Sequence, residues 1–318
     1  MNMTATRCAH QTHDVDEQAM LLRGWNQTYQ QLSAGRFSGS LVEIDLGEIR
    51  IMRELTSHAL HQTGALPEDR VALGLLAFSP SRPFFCGRLC DDDTLIVFSG
   101  SDAFDFHSPG RFEILDFVIA RSALDERLGE AERHALSMQL RKPHLRRLSR
   151  DARLQLQQLA HDAFSLASHN TPGHHDPAPR QTRAMHEELL DSLIQALQAD
   201  EESSSPATPR ARQICIVEEA RALMDDHAPE TRLSIQQICE QLGVARRTLQ
   251  YAFQEILGMS PLHYQRAQRL NGARQAIKRH QRIADAATAW GFWHFGRFSC
   301  EYRQLFGELP SETRQRAR

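Results

Sequence analysis

Two stretches of this 318-residue chain repeat one another, and the duplication restricts the C-terminal third to a pair of like units. "LSIQQICEQLGVARRTLQYAFQEILGMSP", residues 233–261, aligns with "QRIADAATAWGFWHFGRFSCEYRQLFGELP", residues 281–310. Ile235 and Gly243 match Ile283 and Gly291 at an offset of 48, while Leu249, Gly258 and Pro261 match Phe298, Gly307 and Pro310 at 49. One residue is therefore added within the second turn region. Each copy reads as a short helix, a glycine turn, a second helix and a glycine stop, the helix-turn-helix arrangement. Ile235, Ile238 and Leu242 supply the first inward face, with Leu249, Phe253 and Ile256 on the following helix; Ile283, Ala287 and Trp290, then Phe298, Tyr302 and Leu305, repeat it.

The residues between these apolar positions point outward. They are Arg246, Arg247, Thr248 and Gln250 in the first copy and His294, Gly296, Arg297 and Cys300 in the second, and they are the candidate DNA-binding residues. Arg and Gln make paired hydrogen bonds to guanine or adenine in the major groove, each worth roughly 1–3 kcal/mol of discrimination. Gly296 and Cys300 are small, which permits close approach but reads fewer bases. The intervening "SPLHYQRAQRLNGARQAIKRH" predicts a connecting helix capped by Ser260 with Pro261 in its first turn. Its length of about 30 Å is near the roughly 34 Å rise of one DNA turn, so it sets two reading helices in successive grooves.

Charge divides the chain the same way. Residues 210–318 carry 17 Arg+Lys against 11 Asp+Glu, a net +6, which leaves −9 on the remainder. Lys142 and Lys278 are the only lysines, so the positive charge is almost all guanidinium, the group suited to forked contacts with phosphate and guanine. A solvated surface explains many such arginines equally well.

Residues 1–198 are expected to form an effector and dimerisation domain, joined by a polar linker at 199–209 to the 210–318 unit. Within it, residues 37–119 read as β structure. Val42, Ile44 and Leu46 alternate with charged neighbours, and "VALGLLAF", "TLIVF" and "RFEILDFVIA" follow between turn clusters. The expectation is a small β-barrel or sandwich, then helices over 124–198, for an α+β chain. Leu189, Leu190, Leu193, Ile194 and Leu197 form a stripe that serves either its own domain or a homodimer interface. Phe78, Phe84, Phe85, Phe98, Phe104 and Phe106 either line an effector pocket or pack the core, with packing favoured.

The C-terminal segments "GVARRTLQYAFQEILGMSPLHYQRAQRLNGARQAI" and "GFWHFGRFSCEYRQLFGELPSE" resemble the tandem helix-turn-helix domain of AraC/XylS transcription regulators, in a form similar to the ethanolamine-operon-regulator branch. The resemblance covers about a third of the chain. It implies double-stranded promoter DNA and RNA polymerase as partners, a homodimer, no membrane, usually activation, and control of metabolic, quorum-sensing or virulence genes. It also implies a cupin-like N-terminal domain that either senses a small molecule or sets dimer geometry.

The alternative is a metal-dependent cupin-type enzyme carrying a DNA-targeting domain. The β segment has no His-x-His pair; His58 and His61 are three apart, His107 stands alone, and no third ligand is evident. No metal, cofactor or catalytic residue is therefore expected. Gly-x-Ser-x-Gly and phosphate-loop motifs are absent. The six cysteines lack zinc spacing, and Cys86 with Cys90 is the one close pair. Apolar runs are too short to span a membrane, and the first twenty residues lack an apolar signal core, so a cytoplasmic location is expected.

Overall fold

A computed structural model describes residues 6–99, 102–168, 179–199, 209–225 and 233–317. Most of the expected linker, and most of the polar break at 168–180, lie outside the described residues. The N-terminal part contains strands β1 (Thr6–Thr12), β2 (Asn26–Gln31), β3 (Gly39–Asp45), β4 (Ile49–Thr56), β5 (Leu60–Ala65) and β6 (Arg70–Phe78). These are followed by β7 (Phe84–Phe85), β8 (Arg88–Leu89), β9 (Thr94–Ser99), β10 (Phe104–Ser108), β11 (Phe112–Ala120) and β12 (His144–Arg147). Its helices are α1 (Val15–Leu21), α2 (Arg121–Arg127), α3 (Glu130–Gln139), α4 (Arg150–Ser168) and α5 (Pro179–Gln198). The C-terminal part is helical: α6 (Pro209–Asp225), α7 (Ile235–Leu242), α8 (Arg246–Leu257), α9 (Pro261–Lys278), α10 (Ile283–Ala289), α11 (Phe295–Phe306) and α12 (Pro310–Arg316).

Two antiparallel sheets face one another, one ordered β1-β3-β4-β11-β6-β9-β12 and the other β2-β5-β10-β7-β8. The central strands of the larger sheet are apolar on both faces, which is why their sequences run almost unbroken in Val, Ile, Leu and Phe. Along β11, Phe112, Ile114 and Val118 turn toward the smaller sheet, whereas Leu115, Phe117 and Ile119 turn the other way onto α2, α4 and α5. Between the sheets, Phe85, Phe98, Phe104 and Trp25 pack largely edge to face, with ring centroids 5.0–6.5 Å apart. Phe106 joins them, Phe84 instead faces the C-terminal domain, and Phe78 is exposed.

Three strands fall outside the expected 37–119 span. β1 and β2 read "TRCAHQT" and "NQTYQQ", edge strands with too few apolar residues to show alternation, and β12 is four residues long within an otherwise helical stretch. Of the two roles expected for the leucine stripe, packing within its own domain accounts for its burial. Leu189, Leu190, Leu193, Ile194 and Leu197 are all buried within the chain's own core, where α5 lies against α4 and the outer face of the large sheet.

The space between the sheets holds carboxyls as well as rings. Glu54 accepts hydrogen bonds from Gln18 Nε2 at 2.9 Å and from the Tyr29 hydroxyl at 3.1 Å, and Asp116 lies on the same inner side. Burial pushes the Glu54 pKa up to about 7 from its ordinary 4.5, against the lowering pull of those hydrogen bonds. Burial likewise raises Asp116. Between the two Glu54 values the folded chain keeps a proton that the unfolded chain has released, so the stabilising effect is full below about pH 4.5 and is lost as pH rises through about 7. The difference is on the order of 3 kcal/mol. Glu54→Gln should reduce the fall in unfolding temperature between pH 5 and pH 8, and an equally steep fall in the variant would place its origin elsewhere.

Candidate nucleic-acid interface

The two helix pairs are built alike. Ser234 and Gln237 cap α7 reciprocally, the Gln237 amide N–H donating to Ser234 Oγ at 3.3 Å while Ser234 N–H donates to Gln237 Oε1 at 2.8 Å. Val244 N–H donates to Cys239 O at 3.0 Å, and Phe292 N–H donates to Ala287 O at 2.9 Å in the second turn. Gly258 and Gly307 end the reading helices α8 and α11 at φ 68° and 69°, left-handed conformations that a side chain would strain. The turns differ by one residue. Ala245 precedes α8 and His294 precedes α11, so the added residue is Trp293, whose side chain is 72% exposed. Phe295 is exposed beside it. The sequence pattern assigned aromatics in this stretch to the interior, and these two depart from it.

The interior of each pair is apolar and the outward residues are free of it. Ile238, Leu249, Phe253 and Ile256, then Ala286, Ala287, Phe298, Tyr302 and Leu305, are buried. Arg246, Arg247, Thr248 and Gln250, and His294, Gly296, Arg297 and Cys300, are all exposed. Arg297 Nε donates to Glu301 at 2.7 Å, which steadies the side chain while leaving its two Nη groups available. Glu301 also lies 3.5 Å from Arg266 on α9.

The connecting helix α9 starts as expected, with Ser260 Oγ accepting from His263 N–H at 3.2 Å and Pro261 in the first turn. At 18 residues it extends about 27 Å. Arg269 reaches from it to the second turn, donating to the carbonyls of Trp290 and Gly291 and lying 4.4 Å from the Phe292 ring centre. Gly272 lets the Trp290 indole lie against the helix backbone: a Cβ there would stand 2.2 Å from the ring.

α9 and α6 also bind the small sheet. Asn271 presents its amide to the edge strand β2 as a neighbouring strand would, accepting from Gln31 N–H at 3.0 Å and donating to Gln31 O at 2.8 Å. Arg274 and Lys278 meet Asp14 and Asp16 at 2.6–2.7 Å. Burial alone would raise the Asp14 pKa, yet the two cations hold it down to about 2.

A second cluster has no counterpart among the expected site residues. β10 pairs with β5 so that His107 stands opposite His61, their rings stacked at 4.2 Å, and Asp105 lies two residues along on the same face. Asp105 Oδ2 is 2.7 Å from His61 Nε2, and its carboxylate accepts from Arg221 of α6 at 2.6 and 3.0 Å. Arg221 also donates to the Tyr264 hydroxyl at 3.1 Å. Despite burial, hydrogen bonding and charge from His61 and Arg221 hold Asp105 well below the usual carboxylate range. Burial, then the neighbouring His61 and Arg221, hold His107 well below the usual imidazole value. His61, Asp105 and His107 offer ligand atoms within 4.8 Å of one another, so among the described residues they form a group suited to a metal. Sequence reading left His107 alone because strand register, invisible in the sequence, is what joins it to His61. Nearby Cys86 and Cys90 have thiols raised by burial, Cys86 to about 11, which keeps both protonated and unreactive.

The geometry defines a tandem helix-turn-helix unit of the DNA-binding class. Residues 238–316 match the family model described as "Helix-turn-helix domain". The chain is 33% identical over 142 residues to the "Probable thc operon regulatory protein" of Rhodococcus erythropolis, covering 42% of this chain and 41% of that one. It is 34% identical over 85 residues to "XylDLEGF operon transcriptional activator 2" of Pseudomonas putida, covering 26% and 54%. It therefore spans about half or less of the length of these curated relatives. A solved AraC-type DNA-binding domain-containing regulator from Chromobacterium violaceum is 34% identical, with 34% of this chain and 96% of that chain covered and a TM-score of 0.32. The AraC-like activator CuxR is 15% identical over 89% of this chain and 100% of that one, with a TM-score of 0.46. Over its C-terminal domain the chain is therefore similar to AraC/XylS-type transcription regulators.

Gly272→Ala tests the seat of the second helix pair. Alanine would favour helix by about 1 kcal/mol, but overpacking against the Trp290 ring costs roughly 1–3 kcal/mol. A lower unfolding temperature is expected, and a higher one would show that the indole is not pressed on the backbone.

Proposed function

We propose that this chain is a sequence-specific transcription regulator that docks α8 and α11 in the major groove of promoter DNA, works as a cytoplasmic homodimer and engages RNA polymerase. The observation that carries this reading is the agreement of two reading helices, each ended by a left-handed glycine, each with its polar residues outward and its apolar residues in one shared interior. Arginine-borne charge of +6 on residues 210–318 supports it electrostatically. Arg246, Arg247, Gln250 and Arg297 read base edges, Thr248 and His294 add polar contacts, and Gly296 and Cys300 admit close approach. Among the described residues no helix is long and apolar enough to cross a membrane.

The N-terminal domain serves to fix or shift the presentation of the two readers. It reaches α9 through Asn271, Arg274 and Lys278, and α6 through Arg221. An effector acts there only by binding one arrangement more tightly than another. The homodimer interface lies away from the α5 leucines, which the domain's own core occupies.

Footprinting on promoter DNA with Arg246→Ala and Arg297→Ala should show a loss of about 1–3 kcal/mol in each, with base preference relaxed at one position. Equal losses on random DNA would assign both to phosphates. Affinity should also fall steeply with added salt as counterions are released, and a flat response would contradict the docking.

A further inference from the structure

The outer face of the small sheet carries a polar group whose composition exceeds what an interdomain ion pair needs. Arg221 and Asp105 suffice for a salt bridge, and Arg221 gives Asp105 two hydrogen bonds. The two histidines are additional. His107 is 5% exposed, and neither of its ring nitrogens has a hydrogen-bond partner; Asp105 Oδ1 stands 3.5 Å from its Nε2. Leaving a buried imidazole unsatisfied is unfavourable, so its placement against His61 and Asp105 calls for a ligand.

We propose that His61, His107 and Asp105 bind a first-row divalent transition-metal ion, and that this ion and the Arg221 guanidinium occupy the site in turn. Two imidazoles with one carboxylate favour zinc, nickel or copper over calcium or magnesium, which prefer all-oxygen shells. Bonds of 2.0–2.1 Å to a tetrahedral ion place ligand atoms about 3.4 Å apart, and the three atoms already stand within 4.8 Å of one another. The Asp105 side chain is 32% exposed, which leaves a way in from solvent.

Simultaneous occupation is excluded by charge and by lone pairs. Arg221 takes both Asp105 oxygens, and one of its Nη groups is 2.8 Å from His61 Nε2, the atom the ion needs. A dication beside a guanidinium at that distance in a half-buried site is repelled by many kcal/mol before relaxation. Metal entry therefore displaces Arg221 and loosens α6, which packs on the reading helix α8, from the sheet. By linkage the latch weakens metal binding as much as metal weakens the latch. The metal site stands without the DNA-binding reading, while its effect on promoter affinity rests on that reading.

Equilibrium dialysis of the full-length protein against Ni²⁺, without DNA, tests the site. One tight equivalent is expected in the wild type. His107→Gln should weaken it at least tenfold, and Arg221→Gln should tighten it at least tenfold. An unchanged affinity in His107→Gln would overturn the site by assigning the ion elsewhere, for instance to the exposed thiols of Cys8, Cys215 or Cys300. An unchanged affinity in a folded Arg221→Gln would overturn the exclusion. Should that variant unfold, amide exchange in wild-type α6 decides: faster exchange with Ni²⁺, absent in His107→Gln, supports the displacement, and no change refutes it. Promoter affinity with and without Ni²⁺ is measured separately. Metal binding that leaves DNA affinity untouched would refute the coupling alone, and failure of the unmetallated protein to bind promoter would refute the regulator reading alone.

Discussion

Two buried guanidiniums hold this molecule in one arrangement. Arg221 and Arg274 each cross from the helical domain to the sheet domain, and each ends among carboxylates that are themselves largely withdrawn from water. A pair of this kind adds little net stability over an apolar contact of the same shape, but removing one partner strands a charge at a cost of about 3–5 kcal/mol. It therefore acts on geometry: sliding the domains past one another pulls each guanidinium away from the carboxylates it meets across the seam. Asn271 adds a positional lock by completing the hydrogen bonding of an edge strand, which fixes the height of α9 along β2. Leu32 and Phe84 fill the space between these polar points and join the interior of the helix pairs.

The architecture follows in layers from that seam. Helices cover the outer face of the seven-stranded sheet, the two sheets enclose an aromatic and partly acidic interior, and the five-stranded sheet turns its other face to the reader domain. Each layer has its own periodicity. The central strands are apolar throughout because both faces are covered, and α5 is striped because one face meets α4 and the sheet while the other meets solvent.

The duplicated helix pairs were legible from sequence because glycine stops and inward apolar residues recur at a fixed spacing, and each is a local physical requirement. The central strands were legible for a related reason, since nothing else accounts for runs such as "RFEILDFVIA". What escaped was non-local. β1 and β2 lack an apolar stripe because they are edges, and the Leu189–Leu197 stripe gives no sign in itself of whether its cover is the same chain or another. The histidine pair became visible only with the register of β5 on β10, since 46 residues separate His61 from His107. Trp293 was hidden by its neighbours, as a tryptophan among core aromatics reads as one of them until the backbone shows it to be the inserted residue.

That insertion makes the protein's near-symmetry imperfect in a useful direction. A direct repeat already has a direction along a duplex, and the insertion goes further by making its two units unlike, one headed by Ala245 and the other by Trp293 and His294. On the proposed docking, the two half-sites would therefore meet differently shaped helix starts rather than two copies of one.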